Sequence, residues 1–176
     1  MVSELSDLRP KHVVDLAGGE GRNALWFASR GIVSENVEFS SVALEKFLAR
    51  AENAGVREYV VATHADARTA EFSQTPDLLL VCYLQLPFSD LAAALDNSLS
   101  QMKQGEIFGI WHARRNLTEG YGGPPRAELL PTPEELSQWA ADRGLDHKVW
   151  EVERMISTPE GDFVAIDVIL RAKLEA

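Results

Sequence analysis

The stretch Asp15-Leu16-Ala17-Gly18-Gly19-Glu20-Gly21 decides how this chain is read. An apolar run, His12-Val13-Val14-Asp15-Leu16, leads into it, and a helical pattern from Arg22 to Arg30 follows. A strand that ends in a glycine-rich turn and feeds a helix builds one kind of site. The glycines let backbone come close to a ligand, and free N–H groups at the helix start attract negative or polar atoms. Asp15, just before the turn, can hold a ligand amine or hydroxyl. Together these features point to a nucleoside-bearing cofactor.

Apolar runs and amphipathic stretches alternate outward from that turn. After the first strand (His12 to Leu16) and helix, the pattern predicts a strand over Ser34 to Phe39. A helix follows, capped by Ser40 or Ser41 and closed by Gly55, with Leu44, Phe47, Leu48 and Ala51 on one face. Tyr59 to Thr63 and Asp77 to Tyr83 read as strands three and four, the latter apolar enough to be covered on both faces. A helix from Phe88 to Lys103 carries Leu91, Leu95, Leu99 and Met102 as its buried stripe and stops at Gly105. Glu106 to His112 is a fifth strand, and a long polar loop, Ala113 to Pro131, follows it. Thr132-Pro133-Glu134-Glu135 has the form of a capping box and starts a helix that ends near Gly144. Two last strands, His147 to Ser157 and Phe163 to Ala172, are joined by a turn at Thr158 to Asp162. Repeated βα units followed by a hairpin argue for a mostly parallel sheet with helices on both faces.

Length and composition fit one soluble domain: 176 residues, 45% hydrophobic and 25% charged. Seventeen basic residues against twenty-seven acidic ones leave a net charge of −10, which repels nucleic-acid backbones. The single cysteine, Cys82, cannot form an internal disulfide, and this favours a cytoplasmic location. The first ten residues contain no signal-peptide core, and no apolar run is long enough to span a bilayer. One cysteine and four dispersed histidines offer no metal-ligand spacing, so no metal is expected.

Ligands of such sheets bind beyond the carboxyl ends of the strands. Asp15, Glu38, Asp66, Cys82-Tyr83 and His112 all fall at those ends. Glu38 can accept both hydroxyls of a ribose, and Asp66 can take the exocyclic amine of an adenine. Gly19-Glu20-Gly21-Arg22-Asn23-Ala24 also matches the G-x-G-x-x-A dinucleotide fingerprint, which leaves an NAD(P)-dependent oxidoreductase as an alternative. Against that alternative stand Asp15 beside a would-be pyrophosphate, a turn wider than a dinucleotide needs, and the terminal hairpin. In the loop, Arg114 and Arg115 are candidates to hold an anionic substrate group.

The segment Val13 to Ala24 resembles the first motif of class I S-adenosylmethionine-dependent methyltransferases. Val37-Glu38-Phe39-Ser40 resembles their second motif and Ala65-Asp66 their third. Gly21 to Leu44 looks most like the small-molecule branch that includes tellurite-resistance and thiopurine methyltransferases. The resemblance runs from His12 through the closing hairpin. It implies a three-layer, Rossmann-like α/β sandwich whose seven-stranded, mostly parallel sheet ends in an antiparallel C-terminal hairpin. It also implies S-adenosylmethionine as cofactor and methyl transfer to a small molecule. The turn residues Ala17, Gly18, Gly19 and Gly21 would line the cofactor, Gly19 and Gly21 lying against its methionine part. Asp15 would help hold the amino group, Glu38 beside Phe39 the ribose, and Asp66 with Ala67 the adenine. Cys82 and Tyr83 would border the methyl group.

His112 is the candidate base and Tyr83 the candidate residue for orienting substrate. Cys82 reads as a small wall rather than a nucleophile, since methyl transfer needs no covalent enzyme intermediate. Two departures from the family pattern stand out. Ala17 replaces the family's usual first glycine, where a positive φ would make a methyl group costly. Only a short segment precedes Asp15, so the single domain over residues 1–176 is expected to have a shortened N-terminal cap. A homodimer could cover the face left open, and a catalytically degenerate cofactor-binding or interaction protein is the second alternative.

Overall fold

The computed structural model describes Leu5 and residues 8–175. The expected N-terminal cap falls partly on residues outside that set. Seven strands form one sheet: β1 (His12–Leu16), β2 (Val33–Glu38), β3 (Val60–His64), β4 (Leu78–Cys82), β5 (Gly105–His112), β6 (Asp146–Thr158) and β7 (Gly161–Leu174). Their order across the sheet is β3-β2-β1-β4-β5-β7-β6. β1 to β5 are mutually parallel, and β7 runs antiparallel between β5 and β6. The chain reverses sheet direction after β3, so the rim beyond β1 and β4 is the switch point where such sheets bind ligands.

Among the described residues four α-helices cover the sheet: α1 (Arg22–Ala28), α2 (Ser41–Asn53), α3 (Phe88–Leu99) and α4 (Pro133–Ala141). Strands alternate sides, so β1 sends Val14 and Leu16 to one face and Val13 to the other. The first face packs on Leu91, Ala94 and Leu95 of α3 and on Leu136 and Trp139 of α4. The second packs on Phe27 of α1, with Leu5 buried in the same cluster beside Leu78, Leu80 and Phe108. α1 and α2 close on each other through Ala24, Ala28, Leu44 and Phe47. The large apolar side chains left exposed among the described residues are Phe39, Val42, Leu117, Tyr121 and Met155. They sit at the β2–α2 junction, in the 113–131 loop and on the hairpin. No helix of the described residues is long and apolar enough to cross a membrane.

Local sequence chemistry accounts for most element ends. Ser40 caps α2 by accepting from Ala43 N, and Thr132 with Glu135 completes a capping box on α4. The helix expected over Phe88 to Lys103 ends at Leu99 instead, although Met102 is still buried. Gly105 does not stop it. Gly105 opens β5 against Asp77, whose carbonyl accepts from Glu106 N at 3.0 Å.

The last hairpin is longer than its apolar residues alone suggested. Residues 161–166 of β7 pair only with β6, beyond the last β5–β7 pair, His112↔Asp167. This arm stands above the carboxyl rim. The 113–131 loop is fastened to it: Asn116 exchanges two hydrogen bonds with the backbone of Ile166, and Tyr121 stacks on Phe163 at 4.4 Å.

Candidate functional site

The glycine turn rests on two polar side chains. A Cβ built on Gly18 would stand 2.2 Å from Asn36 Oδ1 and 2.6 Å from Asp15 Oδ2, so both groups lie directly beneath that backbone. Gly21 has φ 73° and faces the Phe47 ring, which a Cβ would meet at 2.0 Å. Glycine is therefore required there both by conformation and by packing. Above Gly19 nothing lies within 4 Å of a built Cβ, which leaves that side of the turn open. Gly19 is held at both ends: its N–H donates to Glu38 Oε2 at 2.9 Å, and Asn36 Nδ2 donates to its carbonyl at 2.9 Å. Ala17 has φ 55°, the left-handed conformation in which an alanine is strained.

Asp15 is fully buried under this turn rather than open to the rim. Burial pushes its carboxyl up to about 6, against the opposing pull of Asn23, the Ala24 N–H and Arg22. Its Oδ2 and Asn36 Oδ1 both lack a partner among the described residues. Two acceptors share one space, and a proton on Asp15 would serve both.

The other two acids do reach a common cavity. About 300 Å³ in volume, it is lined by Ala17, Glu38, Phe39, Asp66 and Ala67, with Leu84 and Leu86 as apolar wall. Glu38 braces the rim, since Oε1 accepts from Ser40 N and Oε2 from Gly19 N, both at 2.9 Å. Each oxygen retains a further lone pair. Asp66 is gripped by the Arg68 guanidinium at 3.0 and 2.7 Å and by Arg68 N at 2.9 Å. The Arg68 hydrogen bonds pull its carboxyl down to about 2. Phe39 is 74% exposed at the cavity mouth.

At the end of β4, burial and then the negative charge of Asp15 push the Cys82 thiol up to about 12, so it stays protonated. Its neighbour Tyr83 has φ 60° and lies against His112, with ring centroids 4.7 Å apart. Below them sits Asp167, a residue that the sequence reading did not single out. Asp167 is opposite His112 in the β5–β7 ladder and is 1% exposed. Its Oδ2 accepts from Tyr83 Oη and from Arg154 Nε, each at 3.0 Å, and its Oδ1 is 3.3 Å from His112 Nδ1. Burial works to raise its carboxyl, but the contacts with His112, Arg154 and Tyr83 outweigh that and hold it below its ordinary value. Burial and the charge on Asp167 push Tyr83 up to about 12, which keeps its hydroxyl a donor. A clue to Asp167 stood in the sequence: a lone acid inside the apolar run Ala165-Ile166-Asp167-Val168-Ile169.

The two loop arginines do not point to an anion site. Arg114 donates to the Leu130 carbonyl at 3.0 Å and lies 3.4 Å from Glu135, so it ties the loop to α4. Arg115 is forked between Glu119 and Glu151 at 2.5 and 2.7 Å. Both charges are already matched within the fold.

No family model and no curated protein matches the chain. Solved structures do. A SAM-dependent methyltransferase of Methanosarcina mazei superposes with TM-score 0.77 at 14% identity, covering 100% of this chain and 99% of that one. The methyltransferase domain of bacterial CtHen1-C gives 0.74 at 17%, covering 99% and 95%. TehB of Haemophilus influenzae gives 0.78 at 13%, covering 99% of this chain and 61% of its own. With the strand order and the antiparallel β7, these likenesses establish that the chain has the class I S-adenosylmethionine-dependent methyltransferase fold.

Proposed function

We propose that the chain, read as one domain, is a cytoplasmic S-adenosylmethionine-dependent methyltransferase acting on a small molecule. One observation carries this reading: Glu38, Asp66, Ala17 and Phe39 converge on a single cavity beside the open backbone of Gly19. The chemistry of that cavity suits the cofactor. Glu38 offers acceptor lone pairs to two ribose hydroxyls. Asp66, with Ala67 beside it, offers a carboxylate for an amine, and Leu84 and Leu86 offer apolar surface for a base. The space over Gly19 takes the methionine part. Asp15 lies sealed under Gly18, so its charge acts on a ligand ammonium across the turn and not by direct contact.

When bound, this cofactor supplies an electrophilic methyl group on a sulfonium. The protein's own task is to hold an acceptor in line with it, an orientation effect worth up to about 7–11 kcal/mol of barrier. The arm and the loop fastened to it wall the acceptor side, and Tyr83 and His112 face it from the ends of β4 and β5. A nicotinamide-dependent oxidoreductase is disfavoured, because a carboxyl under the turn opposes a pyrophosphate above it.

Titration calorimetry tests the proposal. S-adenosylhomocysteine is expected to bind saturably and NAD(P) not at all. Glu38→Ala is expected to weaken binding at least about tenfold, or about 1.4 kcal/mol. Binding of NAD(P) in place of the thioether, or unchanged affinity in the variant, would remove the assignment.

A further inference from the structure

We propose that Asp167 is a positioning residue that fixes the tautomer of His112, and that the pair equips the protein for acceptors that must lose a proton, hydroxyl or amine compounds. This deepens the methyltransferase reading and rests on it.

The geometry begins with register. His112 and Asp167 are directly opposite in an antiparallel ladder, where facing Cβ atoms come within about 4.5–5.5 Å. His112 Nδ1 and Asp167 Oδ1 are 3.3 Å apart, both are buried, and neither has a hydrogen-bond partner among the described residues. Each is therefore the other's available partner, and a small turn of the imidazole closes the bond. A carboxylate oxygen can only accept, so the proton belongs on Nδ1. Nε2 is then a lone pair, and it is the ring nitrogen not sealed in; the side chain is 19% exposed.

The surroundings prevent other arrangements. Tyr83 covers one side of the ring. Gly123 of the loop lies against the root of the side chain, where a built Cβ would stand 2.8 Å from His112 Cβ. Tyr83 Oη and Arg154 Nε occupy Asp167 Oδ2, which leaves Oδ1 for the histidine. Arg154 also offsets the charge of this buried acid, a group costly to bury alone.

The chemistry balances. Nε2 takes the proton from the acceptor O–H or N–H as the acceptor's lone pair forms its bond to the methyl carbon. The carbon–sulfur bond breaks and leaves its electron pair on sulfur. The imidazolium so formed is paired with Asp167 and returns its proton to solvent after release. An acceptor that already carries its lone pair as an anion, a thiolate or a halide, has no use for such a pair.

Long-range 1H–15N NMR of the imidazoles reads the tautomer directly, with His112→Gln used to assign the signals. At pH 8 the wild-type protein should show a pyrrole-type Nδ1 and a pyridine-type Nε2 at His112, and Asp167→Ala should shift population toward the Nε2–H form. An Nε2–H tautomer in the wild type overturns the pairing without recourse to any variant. In parallel, S-adenosylhomocysteine release is measured with catechol, phenol and ethanolamine against 2-mercaptoethanol and iodide. Turnover in the first group, reduced about 100-fold in His112→Gln, is expected; turnover confined to the second group, or of nothing in either, overturns the acceptor class. S-adenosylhomocysteine affinity on the same samples separates the two levels. Its loss strikes the cofactor reading, whereas intact binding with the wrong tautomer strikes only the pair.

Discussion

Ala17 and Tyr83 are the two residues other than glycine that hold a positive φ among those described, and both stand at strand ends facing the rim. Left-handed backbone costs such residues about 1–2 kcal/mol each, and strain of this kind gathers at binding sites. Ala17→Gly is expected to raise stability in urea unfolding by about 1 kcal/mol, less than the full strain because glycine gains freedom in the unfolded chain. Unchanged or lower stability would show that the turn tolerates its alanine.

Asp15 carries the opposite kind of cost. Its folded carboxyl is raised to about 6 from an ordinary 3.8, so the native state holds the proton more tightly than the unfolded chain. The stability it contributes is complete below about pH 3.8 and is lost as pH rises through 6. At neutral pH the buried charge costs up to about 3 kcal/mol. Asp15→Asn should therefore be more stable than wild type at pH 8 by about 2–3 kcal/mol, with the gain vanishing at pH 4. An equal difference at both pH values would contradict the burial of that charge. Glu38 and Asp66 were legible because Glu38 ends its own strand and Asp66 follows its own by two residues. The direction in which Asp15 faces was not, since it depends on Asn36 and Gly18 meeting it from another strand and from above.

At the scale of elements, the arm of β6 and β7 and the 113–131 loop act as one unit because Asn116 joins them. Buried side chains that satisfy backbone at both ends are expensive to remove. Asn116→Ala should cost about 2–3 kcal/mol and expose the loop to limited proteolysis between residues 113 and 131; a loop as resistant as in the wild type would mean that Tyr121 on Phe163 suffices to hold it. The start of α4 was readable to the residue because its capping box is a four-residue signal. The end of α3 was not, because the chain leaves the helix while its hydrophobic stripe continues to Met102. The loop arginines, candidates for an anionic substrate group, are matched instead by Glu119 within the same loop and by Glu135 and Glu151 from beyond it.

For the whole molecule, alternation of β and α predicted a parallel sheet with a terminal hairpin, and the sheet has that form. The insertion of β7 between β5 and β6 lies beyond local patterning. It is also what sets Asp167 opposite His112, which is why the buried acid escaped notice despite its place in an apolar run. The central claim is that one cavity on the carboxyl rim holds an adenosyl group between Glu38 and Asp66. A crystal structure grown with S-adenosylhomocysteine tests it directly. The ribose is expected within hydrogen-bond reach of Glu38, the base between Asp66 and Leu86, and the sulfur toward Tyr83. Density for the nucleoside anywhere else, or a filled glycine turn with Glu38 untouched, would contradict the account.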